Sequence, residues 1–235
     1  MTRRPSEPTD ALDPTDVGSV DGRRARSKRT SSRVLAASRD LFLEQGYALT
    51  SMEGIAARAG VSAQTVYNQF GTKCELLAAV LDRAIAGDDV PVALIERPWF
   101  HVDEAEPAAD AIARFAAVGT AILARVAPLY DVIRSASALP EVRRLLDDNR
   151  QRRRADQRHL VRELAAAGQL RPGLDTDHAA DVVYGLLNED VYLLLTADCR
   201  WSRKRFATWV TETLLGQFVT ASDPLGARRR RPRSR

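Results

Sequence analysis

The stretch from residue 50 to residue 73 constrains the fold of this chain more than any other, because it carries the start and stop signals of two short helices. Thr50 and Glu53 have the spacing of a capping box, which predicts that the first helix begins at Thr50. Gly60 has the conformational freedom that favours the end of a helix. Ser62 is a good N-cap for the second helix, which we expect to end near residue 70.

The apolar residues of both predicted helices recur at helical spacing, so each helix has one face to bury. The inward residues are Met52, Ile55, Ala56 and Ala59 of the first helix and Val66 and Phe70 of the second. Short helices bury such faces against each other when they cross steeply, as in a helix-turn-helix. The outward residues of the second helix are uncharged and mostly form hydrogen bonds, which suits a DNA major groove: Ala63, Gln64, Thr65, Tyr67, Asn68 and Gln69.

Two of these outward residues are predicted to read bases. Gln64 and Asn68 lie four residues apart on one face, and either amide suits the bidentate contact that recognises adenine. The methyl group of Ala63 suits contact with a thymine methyl group. Tyr67 has a structural interpretation as well, as a half-buried ring of the domain core, and the two roles are compatible. Contacts with DNA phosphates are predicted for Thr50, Ser51, Thr65, Tyr67, Gln69 and Lys73.

Residues 34–81 resemble the N-terminal domain of the TetR family of bacterial transcriptional regulators. The matching landmarks occur in the order typical of the family: Ser38 with Phe42, Gly46-Tyr47, Ile55-Ala56, Ala59-Gly60-Val61-Ser62, Thr65-Val66-Tyr67, Phe70, Lys73 and Glu75-Leu76-Leu77. Ser38 stands where the family usually has alanine. In the family, the positions that match Tyr67 and Lys73 typically contact the DNA backbone. The rest of the chain is similar to the family only in being a series of helices.

The resemblance implies an all-α fold with an N-terminal three-helix helix-turn-helix DNA-binding domain and a C-terminal helical bundle for ligand binding and dimerisation. The predicted divisions are a disordered arm over 1–26, the DNA-binding domain over 27–87 with its helix-turn-helix at about 50–70, the ligand-binding and dimerisation domain over 88–220, and a disordered basic tail over 221–235.

Charge is unevenly distributed along the chain, although the net charge is only +4. Residues 22–73 have a net charge of +6 and residues 221–235 of +5, whereas 1–21 and 74–220 have −3 and −4. A positive segment that binds a polyanion on a mildly acidic body is expected of a DNA-binding protein whose body has another role. The basic residues just ahead of the first helix favour a solvated linker over an arm that reads DNA.

Helical spacing and proline or capping signals predict seven helices besides the helix-turn-helix pair, over about 30–45, 73–86, 107–126, 128–136, 140–167, 175–197 and 202–220. Residues 87–107 lack a clean period and predict a loop, with Trp99 and Phe100 packed under the next domain. The middle of the 140–167 helix is almost wholly charged. A solvated face with ion pairs between successive turns is favoured there over a second nucleic-acid site.

Of the last two predicted helices, the one over 175–197 is apolar on more than one face, so it must bury one side in its own core and another against a partner. The same two helices of a second copy form the simplest partner, in a two-fold four-helix interface, and TetR-like regulators dimerise in this way. The predicted dimer interface consists of Val183, Leu187, Val191, Leu194, Phe206, Val210, Leu214 and Phe218.

The resemblance also implies a small-molecule pocket inside the C-terminal bundle. Polar or aromatic residues within apolar helices are the candidate ligand contacts: Phe115, Tyr130, Arg134, Tyr184, Asn188, Asp190 and Tyr192. The run Asn188-Glu189-Asp190 interrupts an apolar helix, and buried carboxylates are costly unless they are paired. Their partner is either a ligand or a polar network at the dimer seam with Arg134 or Arg200. We favour the network.

Enzymatic readings of the sequence find little support. His101, His159 and His178 are far apart and lack the spacing of metal ligands, and no phosphate-binding glycine pattern or nucleophile motif is present. We therefore expect no catalytic residue, no metal and no cofactor. Two cysteines, the lack of a signal peptide and the lack of a membrane-spanning apolar run predict a cytoplasmic bacterial protein.

These observations predict a homodimeric transcriptional repressor that binds double-stranded DNA at a palindromic operator and is released by a small molecule of unknown identity. One alternative is a DNA-binding regulator controlled by a protein partner, whose helical bundle would be packed solid. Another, less favoured, is an all-helical enzyme, in which acid, base or nucleophilic groups would converge in a cleft.

Overall fold

The computed structural model describes residues 15–88, 94–103 and 105–219, and this part of the chain contains helices and no β-strand. The predicted all-α fold class is therefore confirmed. Turns of 3₁₀-helix at Leu94–Glu96 and Pro98–Phe100 lie between α4 and α5, and a π-helical segment at Leu194–Asp198 extends α8. The α-helices are α1 (Thr15–Leu49), α2 (Met52–Ala59), α3 (Ala63–Phe70), α4 (Lys73–Ala86), α5 (Ala108–Ser135), α6 (Pro140–Ala166), α7 (Thr176–Leu186), α8 (Glu189–Leu193) and α9 (Arg203–Phe218).

Helix α1 begins earlier than predicted. It starts at Thr15 and reaches Leu49, with a break at Gly46, where φ is 77° and ψ is 175°. The expected disorder of residues 15–26 is therefore wrong, because this proline-free segment, with arginines of good helix propensity, continues the helix towards the N-terminus. Residues 1–14 and the predicted basic tail over 221–235 lie outside the described residues.

Helix α2 is capped by Ser51 and not, as predicted, by Thr50. The Ser51 hydroxyl accepts a hydrogen bond from the backbone N–H of Gly54 at 3.0 Å. Thr50 is only 1% exposed, and its own hydroxyl donates to the carbonyl oxygen of Gly46 at 2.7 Å. The helix begins one residue later than expected because the Thr50 hydroxyl closes the end of α1. The other two predicted caps, Ser62 before α3 and the capping box before α4, are present.

The N-terminal domain is built from α1 to α4 around a shared apolar core. Phe42 of α1, Ile55 of α2 and Val66 of α3 are all fully buried, and the ring of Phe42 stacks on Tyr47 at 6.0 Å between centroids. The inward faces predicted for α2 and α3 are confirmed, with Phe70 half-buried at the end of α3. Burial of these faces holds α3 across α2 and leaves its opposite side in solvent.

Helix α5 is continuous through Pro128, whereas the sequence predicted two helices that meet there. A proline inside a helix removes one backbone hydrogen bond and usually bends or ends the helix. Here the residues on either side, Val126, Ala127, Leu129 and Tyr130, are all buried in the core. Packing over both halves of α5 compensates for the missing hydrogen bond, and Pro128 itself is exposed.

By length and composition alone, α5 could also cross a membrane, and its most apolar window has a mean hydropathy of 1.5. This finding differs from the expectation that no apolar run approaches that length. Helix α5 contacts α1, α4, α6, α8 and α9, and 44% of that window is buried. These contacts are those of a core helix, and a single helix of this kind is weak evidence for a membrane span.

Much of the charged middle of α6 lies on its outer surface, but Arg153 and Gln157 face the interior, with 16% and 4% exposure. Arg154 pairs with Asp181 of α7 at 2.9 Å, and Arg158 pairs with Asp177 at 3.2 Å. All four side chains are largely exposed. The structure thus agrees with the predicted solvated face, although the pairs join α6 to α7 and not only one turn of α6 to the next.

Candidate DNA-binding surface and ligand cavity

The outer side of α3 forms a small polar surface. Val66 anchors the helix from below, while Gln64, Asn68 and Gln69 point to solvent and Tyr67 is 44% exposed. The candidate base-reading residues therefore lie together on the exposed face that the sequence predicted. Ala63 and Thr65 are half-buried at the start of the helix.

Gln64 and Asn68 interact with each other on this face. The Gln64 side-chain N–H donates to the Asn68 amide oxygen at 2.7 Å, across one helical turn. The contact leaves the Gln64 oxygen as an acceptor and the Asn68 NH₂ as a donor. An acceptor beside a donor is the pattern that complements the major-groove edge of adenine.

Tyr67 lies where α2 and α3 meet. Its hydroxyl donates to a carboxylate oxygen of Glu53 at 3.3 Å. Desolvation first, and the nearby Glu53 charge second, raise the pKa of Tyr67, so the phenol keeps its proton and remains a donor at neutral pH. The ring is on the surface, and its alternative as a half-buried core residue is not what the structure adopts.

Lys73 is half-buried and binds the chain segment between α1 and α2. Its ammonium group donates to the carbonyl oxygens of Tyr47 at 2.8 Å and Thr50 at 2.9 Å, and it lies 4.3 Å from the centroid of the Tyr47 ring. An ammonium group has three donors, so one remains for a phosphate. The principal role of Lys73 in this structure is to position the start of the helix-turn-helix.

The predicted phosphate contact of Thr50 is wrong. Because its side chain is buried and donates into the end of α1, it does not lie on the surface that would meet DNA. Ser51 is exposed, and its oxygen accepts the capping hydrogen bond of α2, which leaves its hydroxyl proton available to an acceptor. The Thr65 hydroxyl lies 2.8 Å from that of Ser62.

Helix α4 joins this surface to the rest of the protein. At its C-terminal end, the guanidinium group of Arg125 from α5 donates to the carbonyl oxygens of Ala84 at 2.7 Å and Ile85 at 3.1 Å. One turn earlier, Asp82 pairs with Arg152 of α6 at 3.4 Å. Movement of α5 or α6 would therefore act directly on α4.

A cavity of about 540 Å³ lies between α4, α5, α6 and the turns over 94–100. Its volume and apolar character are typical of small-molecule sites. The apolar lining consists of Ile85, Ala86, Leu94, Ile95, Trp99, Phe100, Phe115, Gly119, Ile122, Leu123, Val126, Ala155 and Leu187.

A few polar groups also line the cavity. Gln157 is 4% exposed, and its amide oxygen accepts no hydrogen bond from the residues described. The amide oxygen of Asn149 already accepts a hydrogen bond, from the hydroxyl of Tyr130. Burial raises the pKa of Asp156, against the opposing effect of Arg152. The unpartnered Gln157 oxygen is a position where a ligand donor would be recognised.

Of the predicted ligand residues, Phe115 and Tyr130 line the cavity and the others do not. Helix α7 ends at Leu186, and Asn188 is the N-cap of α8. Its side-chain oxygen accepts a hydrogen bond from the backbone N–H of Asp190 at 2.8 Å. The remaining three residues contact groups of the protein itself: Arg134 pairs with Asp190, Tyr184 lies under the Arg153 guanidinium group at 4.6 Å, and Tyr192 packs edge-on against Phe206 at 5.2 Å.

The acidic residues that interrupt the apolar run are satisfied by arginines of the same chain. Glu189 is buried, with 4% of its side chain exposed, and pairs with Arg153 of α6. Asp190 is 64% exposed and pairs with Arg134 of α5. The favoured network with Arg134 is thus present within one chain, where it joins α5, α6 and α8, and its position at a dimer seam stays a prediction.

Most residues of the predicted dimer interface are buried within their own chain. Exposure is 4% or less for Val183, Leu187, Phe206, Val210, Leu214 and Phe218. These residues are not available to a partner, because α9 packs on α5 and uses its apolar stripe there. Val191 is half-buried, and Leu194 is 53% exposed.

Helices α1 to α4 define a helix-turn-helix DNA-binding domain, and α5 to α9 a helical domain with an internal cavity. A family model described as bacterial regulatory proteins of the tetR family matches residues 34–80. The HTH-type transcriptional repressor Rv3405c of Mycobacterium tuberculosis is 38% identical over 76 residues, which cover 30% of this chain and 40% of that protein. The chain thus matches less than half the length of this curated relative.

Solved structures match over much more of the chain. A TetR-family transcriptional regulator from Mesorhizobium loti is 26% identical, with a TM-score of 0.64 over 83% of this chain and 98% of its own. The SmeT–triclosan complex gives a TM-score of 0.63 over 82% of this chain and 93% of its own, and at 20% identity the likeness concerns the fold alone. In both comparisons the chain is similar to the TetR family of bacterial transcriptional regulators, through its residues 34–80 in sequence and through most of its length in fold.

The two neighbouring ion pairs of α8 give a matched pair of substitutions. Glu189→Gln leaves the charge of Arg153 buried without its counterion, so we expect the free energy of unfolding to fall by about 3 kcal/mol. Asp190→Asn breaks an exposed pair and should cost less than about 1 kcal/mol. Urea unfolding of both variants measures the difference, and equal losses would contradict the assignment of Glu189 as the buried partner.

Proposed function

We propose that the protein is a cytoplasmic homodimeric repressor, released from a palindromic operator by a small molecule that occupies the cavity. The observation that carries the proposal is that one helix, α4, reaches both places. Its N-terminal residue Lys73 donates to the Tyr47 carbonyl oxygen, just ahead of the helix-turn-helix. Its residues Asp82, Ile85 and Ala86 line the cavity.

DNA binding would place α3 in a major groove, with Gln64 and Asn68 at the base edges. Tyr67, Gln69, Ser51 and the remaining donor of Lys73 would contact phosphates, and the positive charge of residues 22–73 would favour the approach of DNA. One such surface makes few base contacts. Two copies separated by roughly 34–36 Å would read both halves of a palindrome.

The dimer would form through the outward side of α7 to α9. Leu194 is the most exposed large apolar residue of this region. Trp201 and Trp209 are half-buried, with ring centroids 6.0 Å apart. Gly185 and Gly216 are exposed, with open space around them for the close approach of a second backbone. This surface replaces the interface predicted from the sequence.

Release requires the ligand to bind one arrangement of the domains more tightly than the other. A ligand between α4, α5 and α6 would contact α4 one turn from the carbonyl groups that Arg125 holds. Displacement of that end would tilt α4 and change the separation of the two α3 helices. An apolar molecule with one hydrogen-bond donor would suit the walls and the Gln157 oxygen.

Two observations favour this proposal over its alternatives. A regulator controlled only by a protein partner would have a solid bundle, whereas this one contains a cavity of about 540 Å³. Ligand control is supported by the triclosan complex of SmeT, and the matched relatives include both a transcriptional repressor, Rv3405c, and a transcriptional activator, FasR. The matched relatives are regulators, which leaves the enzyme alternative without specific support.

Substitution of the base-reading amides should weaken specific binding. Gln64→Ala and Asn68→Ala each remove one side of the amide pair, and we expect the affinity for the operator to fall by about 5- to 150-fold, the equivalent of about 1–3 kcal/mol. Gln151→Ala, an exposed amide on α6, serves as the matched control and should bind as the unmodified protein does. Fluorescence anisotropy with operator DNA measures all three. Unchanged affinity in both α3 variants would refute the assigned surface.

The cavity should be closed by a larger side chain on α5. Ile122 lines the cavity, so the larger side chain of Ile122→Trp should fill part of it. We expect this substitution to weaken binding of the apolar dye 1-anilinonaphthalene-8-sulfonate by at least about tenfold. Ala121→Trp adds the same ring on the exposed side of α5 and should leave dye binding unchanged. Dye fluorescence under direct excitation of the dye is the readout. Equal dye binding by the two variants would argue against an accessible cavity.

A further inference from the structure

Three potential metal ligands, two of them on α6 and the third distant in the sequence, meet beside the cavity wall. The donor atoms of His101, His159 and Glu163 all lie within 4.8 Å of one another. The Nδ1 atom of His101 is 3.2 Å from Oε1 of Glu163, and the Nε2 atom of His159 is 3.1 Å from the same oxygen. The sequence predicted no metal site because His101 is brought to α6 only by the fold.

The local structure positions each of the three side chains. His159 and Glu163 are four residues apart on α6 and therefore share one face. The ring of Phe100 stacks on His159 at 5.6 Å between centroids. The backbone N–H of Val102 donates to the second carboxylate oxygen of Glu163 at 2.8 Å, which orients the carboxylate and ties it to the segment carrying His101.

The Nε2 atom of His159 is the unusual feature of this cluster. It is buried, with less than 1 Å² of exposed surface, and it forms no hydrogen bond with any residue the structure describes. Its short distance to Glu163 lacks the alignment of a hydrogen bond. Buried polar atoms normally have a partner, so this nitrogen indicates a group that binds between the three side chains.

We propose that His101, His159 and Glu163 bind a zinc ion. Zinc takes imidazole nitrogen and carboxylate oxygen at about 2.0–2.2 Å, so two of its ligands in a tetrahedral site are about 3.3 Å apart. The separations of the two imidazole nitrogens from Oε1 of Glu163, 3.2 Å and 3.1 Å, are close to that value. The side chains of His101 and His159 are 52% and 41% exposed, which leaves a route for the ion and room for water as a fourth ligand.

A bound ion would tie the 94–103 segment to α6. This segment supplies Trp99 and Phe100 to the cavity wall, and α6 supplies Gln157. The ion would therefore stiffen one side of the cavity without entering it. The site itself does not depend on the proposed repressor function.

Calorimetric titration of the metal-free, tag-free full chain with zinc chloride tests the proposal. We expect one ion per chain, and a loss of affinity of at least about tenfold in His101→Gln and in His159→Gln. His178→Gln alters the third histidine, which is exposed on α7, and should bind zinc as the unmodified protein does. Circular dichroism establishes that each variant is folded. Absence of binding, or equal binding by all three variants, would overturn the proposal.

Hydrogen exchange gives a second readout that a simple hydrogen-bonded cluster would not show. Zinc should slow exchange of the Val102 amide, because the ion fixes the carboxylate that accepts its hydrogen bond. The effect should vanish in Glu163→Gln and persist in His178→Gln. If exchange at Val102 is the same with and without zinc, Glu163 bridges two imidazole groups and binds no metal.

Discussion

The whole arrangement depends on how the C-terminal end of α4 is held. The last carbonyl groups of a helix have no partners within the helix, and the guanidinium group of Arg125 provides them for Ala84 and Ile85. Burial lowers the pKa of Arg125, which indicates how far this contact is removed from bulk water. A charged group on the central helix α5 thus fixes the helix that joins the cavity to the DNA-binding surface.

The other contacts of α4 give this interaction its functional meaning. At the N-terminal end of the helix, Lys73 donates to the carbonyl oxygens of Tyr47 and Thr50, where α1 meets α2. The later turns of α4 line the cavity. A rigid helix that is held at both ends transmits a displacement at one end to the other. In the proposed mechanism, a ligand that favours one position of the α4 C-terminus would alter the placement of α3.

The N-terminal domain was predictable because its signals are local. The glycine after α2, the serine before α3 and the capping box before α4 specify helix ends within a few residues, and the apolar spacing specifies which side is buried. Thr50 was misassigned because tertiary contact decides which of two adjacent hydroxyl groups caps a helix. The C-terminal domain was harder, since apolar spacing identifies a buried residue without identifying what buries it. Phe206 and Val210 therefore suggested a dimer interface although α5 covers them. Trp99, Phe100 and the histidine cluster come together only through a segment with no periodicity.

Selection of DNA from a random pool by the full-length protein tests the central claim most directly. The account predicts enrichment of one palindromic sequence, with half-sites about one helical turn apart, and an affinity that falls steeply with salt. Recovery of unrelated sequences at every salt concentration would contradict it, because α3 would then not read bases.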